Sequence, residues 1–65
     1  MSKFLVELYY WKNSGLEKTT KKLDDARKAF DFAYNQVGWN VVKIFNNEDE
    51  LVHVNSTNKE YESYA

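Results

Sequence analysis

The sequence predicts a small α+β domain in which one helix packs on an antiparallel sheet. Apolar residues alternate with a period of two near the N-terminus and recur at three- and four-residue spacings in the middle of the chain. Alternation resumes after Gly38. These changes of period predict two layers with the element order strand, strand, helix, strand, strand.

The first predicted strand is "KFLVELYYW", residues 3–11. Because successive side chains of a strand point to opposite faces, one face carries Phe4, Val6, Leu8 and Tyr10, and the other carries Leu5, Glu7, Tyr9 and Trp11. Both faces are largely apolar, although so small a domain usually buries only one of them in its own core. The strand therefore raises the question of what its second face contacts.

The second predicted strand is polar. The turn-forming residues "KNSG", 12–15, precede "LEKTTKK", 16–22, which contains two β-branched threonines. We interpret the two segments as the turn and second strand of a hairpin, with a plain loop at 16–22 as the alternative. The lysines of this segment are typical of a sheet edge, because charge there discourages the addition of another chain.

A helix of about four turns is predicted from Leu23 onwards. Asp24 and Asp25 lie in its first turn, where the helix dipole favours negative charge, and Gly38 lies where the helix should end. Since Lys22 is a poor N-cap, Asp24 is an alternative cap that would start the helix slightly later. The apolar face of this helix is predicted to carry Leu23, Ala26, Phe30, Ala33 and Val37, with Tyr34 on its border.

The last two strands form a second predicted hairpin. "WNVVKIF", 39–45, alternates so that Val42 and Ile44 join Val6 and Leu8 beneath the helix. "NNEDE", 46–50, is a turn, and "LVHV", 51–54, is the final strand. The prediction is thus one domain spanning residues 1–54, followed by a polar and flexible C-terminal tail at 55–65.

Composition limits the classes of protein that this chain can represent. Its 65 residues contain no cysteine and show neither a signal peptide nor a membrane span, so a cytoplasmic location is expected. Residues 1–43 carry eight basic against five acidic residues, a net +3, whereas residues 44–65 carry one against five, a net −4. The charge distribution predicts either a mixed solvated surface or a molecule with a basic side and an acidic end.

An enzyme is not expected. His53 is the single histidine, it lies in a predicted strand, and no carboxylate pair accompanies it at a helical spacing. The two glycines form no phosphate-binding motif, and the sequence indicates no cofactor and no metal site.

The sheet face without a helix is the predicted interaction surface, since an exposed apolar patch usually marks a binding site. Tyr9, Trp11 and Phe45 are its expected anchors, with Glu7 and Lys43 on the same face. The alternative is that the N-terminus, the tail or sheet twist covers this face. A two-fold homodimer of open sheet faces and a single-strand nucleic-acid binder are the other functional alternatives, although the lack of net positive charge argues against nucleic acid.

A more specific indication comes from "LDDARKAFDFAYNQVGWNVVKI", residues 23–44. This segment resembles the helix and following strand of the small host RNA polymerase inhibitor made by T7-like phages, and it aligns without a gap. The direct matches are Leu23, Asp24, Ala26, Tyr34, Gly38 and Val41. At six further positions this chain has a different residue of the same chemical kind, acidic, aromatic, basic or aliphatic: Asp25, Asp31, Phe32, Trp39, Lys43 and Ile44. The resemblance covers about a third of the chain and fades before Leu23.

The resemblance implies a non-enzymatic phage protein that acts in the host cytoplasm. Such inhibitors dock on the jaw of the largest subunit of bacterial RNA polymerase and block the handling of promoter DNA. In that family, two basic residues on the strand after the helix bind the enzyme. In this chain Lys43 lies at the first of these positions and Phe45 at the second. The acidic residues Glu48, Asp49 and Glu50 are predicted from their charge to exclude DNA.

Overall fold

The protein folds as two strands, a helix and two further strands, followed by a short 3-10 helix. The computed structural model describes residues 3–13 and 15–65. The elements are β1 (Phe4–Lys12), β2 (Gly15–Leu23), α1 (Ala26–Asn35), β3 (Val41–Phe45), β4 (Leu51–Ser56) and the C-terminal 3-10 helix (Lys59–Tyr64). This architecture confirms the α+β class and the element order that the periodicity predicts.

The four strands form one sheet in the order β2-β1-β3-β4, and each neighbouring pair is antiparallel. β1 is central, so its residue Leu8 lies opposite Thr19 of β2 on one side and Val42 of β3 on the other. The polar second strand is confirmed and is one residue longer at each end than predicted. Gly15 begins it with a φ of +127°, a backbone conformation that favours glycine. Ser14 of the predicted turn lies outside the described residues.

One face of the sheet packs against α1 and forms the core. As the alternation predicts, Val6 and Leu8 of β1 and Val42 and Ile44 of β3 are buried on this face. Partly buried side chains surround them and widen the apolar contact: Phe4, Tyr10, Leu23, Phe30, Phe32 and Trp39.

The helix begins later than predicted. Leu23 is the last residue of β2, opposite Phe4, because it completes the hairpin register. Asp25 is the N-cap, and its carboxylate accepts a hydrogen bond of 2.8 Å from the Lys28 backbone N–H. The alternative prediction, that Asp24 caps the helix, is therefore wrong by one residue. Asp24 instead pairs with Lys3 at 2.6 Å, and the hydrogen bond and charge of Lys3 lower the pKa of the Asp24 carboxyl.

The buried face of α1 agrees with the prediction at Phe30 and Ala33 and differs from it at other positions. Ala29 and Ala33 are fully buried, whereas Ala26 is exposed. Val37 lies beyond the last helical residue and is 87% exposed, so its assignment to the apolar face is wrong. Both differences lie at the ends of the helix, because Ala26 is its first residue and it ends at Asn35 before reaching Val37.

The connection from α1 to β3 is tied to the end of the helix by the side chain of Trp39. Gly38 has a φ of +86°, as expected of a reversal of chain direction, but it follows the Gln36 C-cap and does not end the helix itself. Trp39 precedes β3, and its indole N–H donates a 3.1 Å hydrogen bond to the Ala33 carbonyl. The same carbonyl, in the last helical turn, also accepts from the Gln36 backbone N–H at 3.4 Å, so the indole is its second donor.

The C-terminal residues contain more regular structure than predicted. β4 continues to Ser56, so the predicted domain boundary at residue 54 falls inside a strand. The remaining segment forms the 3-10 helix, which Asn58 caps by accepting a 3.0 Å hydrogen bond from the Glu60 backbone N–H. The segment at 55–65, predicted to be a tail, therefore includes the end of the sheet and a helical turn.

The N-cap assignment makes a prediction about stability. Asp25→Ala leaves the Lys28 N–H without its side-chain acceptor and should lower the free energy of unfolding by about 1 kcal/mol. Asp24→Ala removes only an exposed ion pair and should cost less. Urea denaturation of both variants and of Asp25→Asn, which keeps a capping oxygen, checks this. An equal loss for the Asp24 and Asp25 alanine variants would contradict the assignment.

Candidate interaction surface

The predicted partner-binding residues share the sheet face that points away from α1. Strand pairing sets Glu7 opposite Lys43, Tyr9 opposite Val41 and Leu5 opposite Phe45. Trp11 follows at the end of the same face of β1. We call this row the Lys43 stripe, which comprises Glu7, Tyr9, Trp11, Lys43 and Phe45.

Polar contacts organise the centre of the Lys43 stripe. The Tyr9 hydroxyl donates a 2.6 Å hydrogen bond to the Glu7 carboxylate. The Lys43 ammonium lies 5.7 Å from the centroid of the Tyr9 ring, within the range of a cation–π interaction. Lys18 of β2 approaches the other Glu7 oxygen at 3.8 Å. Glu7 therefore accepts a hydrogen bond from the Tyr9 phenol and has one cation, Lys18, within ion-pair distance, while Lys43 is its cross-strand neighbour.

The surroundings of Tyr9 keep its hydroxyl protonated. Burial, the hydrogen bond to Glu7 and the negative charge of Glu7 together raise the pKa of Tyr9 to about 12, with burial the largest cause. Tyr9 is consequently neutral over the whole physiological pH range, so its hydroxyl remains a hydrogen-bond donor to the Glu7 carboxylate.

The C-terminal 3-10 helix contacts one end of the Lys43 stripe. Tyr61 stacks on Trp11 with ring centroids 5.4 Å apart, and Tyr64 meets Trp11 edge-on at 5.8 Å. The Lys43 ammonium donates a 2.8 Å hydrogen bond to the Ala65 carbonyl. These contacts answer the question that β1 raises: its second face touches the C-terminal segment at this end, as the alternative in which the tail covers the face predicts.

The covering is partial. Val41, which shares this face, is fully buried, but Trp11 remains 49% exposed. Leu5, Tyr9, Lys43 and Phe45 are each partly exposed. The Lys43 stripe is thus a surface with aromatic rings and one ammonium group still accessible to a partner.

The other end of the stripe leads into the predicted acidic patch. Residues 46–50, which we call the acidic turn, connect β3 to β4. The Asn46 side-chain oxygen accepts hydrogen bonds from the backbone N–H groups of Glu48 and Glu50 at 2.8 and 3.0 Å. Asp49 takes a φ of +63°, which aspartate tolerates better than most residues. Asn46 thereby fixes the backbone that presents Glu48, Asp49 and Glu50 to solvent.

The stripe and the acidic turn follow one another along the sheet. β1 and β3 are antiparallel, so the Trp11 end lies near the start of β3 and the Phe45 end lies next to the acidic turn. The rise of a strand puts roughly 20 Å between the Leu5 and Trp11 positions. One surface therefore passes from aromatic groups, through a lysine, to carboxylates.

His53 belongs to the opposite side of the sheet. Its Nε2 lies 2.5 Å from the Tyr34 hydroxyl, and its ring lies 4.8 Å from the Phe30 ring. Among residues 3–13 and 15–65 there is no cluster of three or more His, Cys, Asp or Glu able to hold a metal ion. The same residues form no detectable pocket and include no helix with the length and hydropathy to cross a membrane.

The raised pKa of Tyr9 predicts a pH effect. The pKa of Tyr9 is about 12 in the folded protein and 10.0 ordinarily, so neutral Tyr9 is compatible with the fold and ionised Tyr9 disfavours it. The free energy of unfolding should therefore be unaffected by this group below pH 10 and should fall as the pH rises through about 12. Glu7→Gln should lower the pKa of Tyr9 but leave it above 10.0, since burial remains. The ultraviolet absorbance of tyrosinate, measured as the difference from Tyr9→Phe, follows this titration. Ionisation of Tyr9 near pH 10 in the wild type would contradict the geometry.

No protein-family model, curated protein or solved structure matches this chain.

Proposed function

We propose that this chain is a non-enzymatic, phage-type protein that binds bacterial RNA polymerase through the Lys43 stripe and inhibits transcription. The observation that carries the proposal is the position of Lys43, which is partly buried, lies over the Tyr9 ring and stands opposite Glu7 in the strand register on the accessible sheet face of β3. β3 is the strand that follows the helix, which is where the resembled inhibitors carry their polymerase-binding residues.

Lys43 retains the capacity to bind a partner. A lysine ammonium has three N–H donors, and one of them bonds to the Ala65 carbonyl. The two remaining donors suit a carboxylate of the partner. Partial burial and the Tyr9 ring hold the ammonium in place before binding, which reduces the entropy lost on association.

The aromatic members of the stripe supply the apolar part of the proposed contact. Phe45 replaces the second basic residue of the inhibitors and lies on the same face as Lys43, two residues along β3. Trp11 is half-exposed and already held by Tyr61, so it is a preorganised anchor. One ion pair flanked by aromatic groups therefore takes the place of two ion pairs in this proposal.

The acidic turn has a separate role in the proposed mechanism. With the stripe docked on the polymerase jaw, Glu48, Asp49 and Glu50 extend beyond the contact as a negative surface. DNA phosphates are repelled by such a surface over about 8–10 Å at physiological salt. In this proposal the Lys43 stripe binds the polymerase, and the acidic turn excludes promoter DNA.

A neutral substitution of Lys43 is the sharpest test of the binding role. Lys43→Met keeps an apolar stem over the Tyr9 ring but removes the charge, and it should weaken binding to purified RNA polymerase at least about tenfold. Charge reversal by Lys43→Glu is less informative, because it puts a carboxylate opposite Glu7 and disturbs the free protein as well.

Lys21→Met is the matched control for that test. Lys21 also lies over an aromatic ring, 5.9 Å from the Phe32 centroid, but it is on β2 opposite Val6, whose side chain faces the helix. Its substitution should leave polymerase binding unchanged in a calorimetric titration. Equal weakening by both variants would show nonspecific charge attraction, and no binding by the wild type would overturn the proposed partner.

The acidic turn yields a second functional prediction. The triple variant Glu48→Gln, Asp49→Asn, Glu50→Gln removes three charges but keeps the local geometry. The amide oxygen introduced at position 50 can still accept the Asn46 side-chain hydrogen bond, and an asparagine at position 49 tolerates the positive φ. Polymerase affinity should change by less than about fivefold, or ~1 kcal/mol. Inhibition of promoter DNA binding, measured by competition, should be lost. Full inhibition by this variant would remove the acidic turn from the mechanism.

A further inference from the structure

The two edges of the sheet differ sharply in charge. β2 forms one edge and carries four charged residues among nine: Glu17, Lys18, Lys21 and Lys22. β4 forms the other edge, and its sequence "LVHVNS" contains no acidic residue, lysine or arginine. Charged side chains on an edge strand oppose the addition of another strand, so charge protects the β2 edge but not the β4 edge, whose single irregularity is a bulge that leaves Val52 without a partner on β3.

The β4 edge is also apolar and accessible. Leu51, Val52 and Val54 are 50%, 48% and 38% exposed, which is unusual for three aliphatic residues in one strand of six. In the described part of the chain no strand pairs with the outer edge of β4. The Ser56 N–H bonds to the Asn55 side-chain oxygen at 2.9 Å, and the other outward backbone groups of β4 are available to form a ladder with an added strand.

We propose that β4 pairs with β4 of a second copy of this chain, antiparallel about a two-fold axis. The two four-stranded sheets then form one continuous sheet. An axis at Val54 sets this residue opposite the same residue of the second copy, a pairing of β-branched side chains that is favourable in sheets. The axis is perpendicular to the sheet, so both helices lie on one side and both Lys43 stripes on the other.

Charge selects this partner and this orientation. β4 opposes itself without any like-charged pair, whereas β2 paired with itself would confront its own lysines. The acidic turn with its three carboxylates precedes β4, whereas Lys59, Glu60 and Glu62, a net −1, follow it. Antiparallel pairing brings the acidic turn of each copy towards the less acidic end of the other, which carries Lys59, while parallel pairing would bring two acidic turns together.

A closed dimer also follows from the difference between the edges. Pairing β4 with β2 of another copy would leave a free edge on each end and build an open filament. The β4 pair uses both unprotected edges and leaves only the charged β2 edges outside. Pairing through the β4 edge does not depend on which molecule binds the Lys43 stripe.

Sedimentation equilibrium of the full chain from micromolar to millimolar concentration tests the proposal. The mass should rise from one copy to two and stop there. Val54→Lys puts two ammonium groups opposite each other at the axis and should weaken the dimer at least about tenfold. Thr19→Lys, a matched β-branched to lysine change on β2, should leave the dimer intact. Hydrogen exchange of the wild type gives a second measurement, because amides of β4 should gain protection with concentration.

Several outcomes would overturn the inference. These are a wild type that stays monomeric throughout, a mass that grows beyond two copies, and a dimer that Thr19→Lys dissociates but Val54→Lys does not. A dimer dissociated by Trp11→Ala alone would instead show pairing of the Lys43 stripes. Circular dichroism verifies the fold of each variant, and Val52→Lys, on the same exposed edge, replaces Val54→Lys if that chain does not fold.

Discussion

The structure depends on the central strand β1 being apolar on both of its faces. Val6 and Leu8 require cover on one side, and α1 supplies it. Tyr9 and Trp11 require cover on the other, and a six-residue 3-10 helix supplies only part of it. A chain of 65 residues has no second α-helix for this purpose in the part that the structure describes. The partial cover therefore leaves a face that is ordered by contacts within the chain yet accessible from outside.

The periodicity of the sequence was sufficient to predict the element order and the core beneath the helix. Side chains of a strand alternate strictly, so Val6, Leu8, Val42 and Ile44 could be assigned to one face without knowing which strands are neighbours. The helix was harder, because Leu23 fits both the end of a strand and the first turn of a helix. Only its pairing with Phe4 decides between them, and that pairing depends on the hairpin register.

The candidate surface was predicted as a set of residues but not as an arrangement. Alternation places Tyr9 and Lys43 on one face, whereas the pairing of Glu7 with Lys43 depends on strand order, which local sequence does not contain. Cover of this face by the C-terminal segment was one of the alternatives, but the 3-10 helix that provides it was not predicted because "KEYESY" has the polar composition of a tail. Its signal was the three-residue spacing of Tyr61 and Tyr64 after the capping residue Asn58, which brings both rings to Trp11.

The face and the edge are linked through one cross-strand pair. Val54 lies opposite Lys43, so the proposed dimer axis runs beside the residue proposed to grip the polymerase. Strand addition uses backbone groups in the plane of the sheet, whereas docking uses side chains that stand perpendicular to it. The two contacts are therefore compatible in direction, and the dimer presents two Lys43 stripes on one continuous surface. A partner with a single complementary site would engage one stripe and leave the other free. A partner with two sites at the matching spacing would gain from avidity without any new contact.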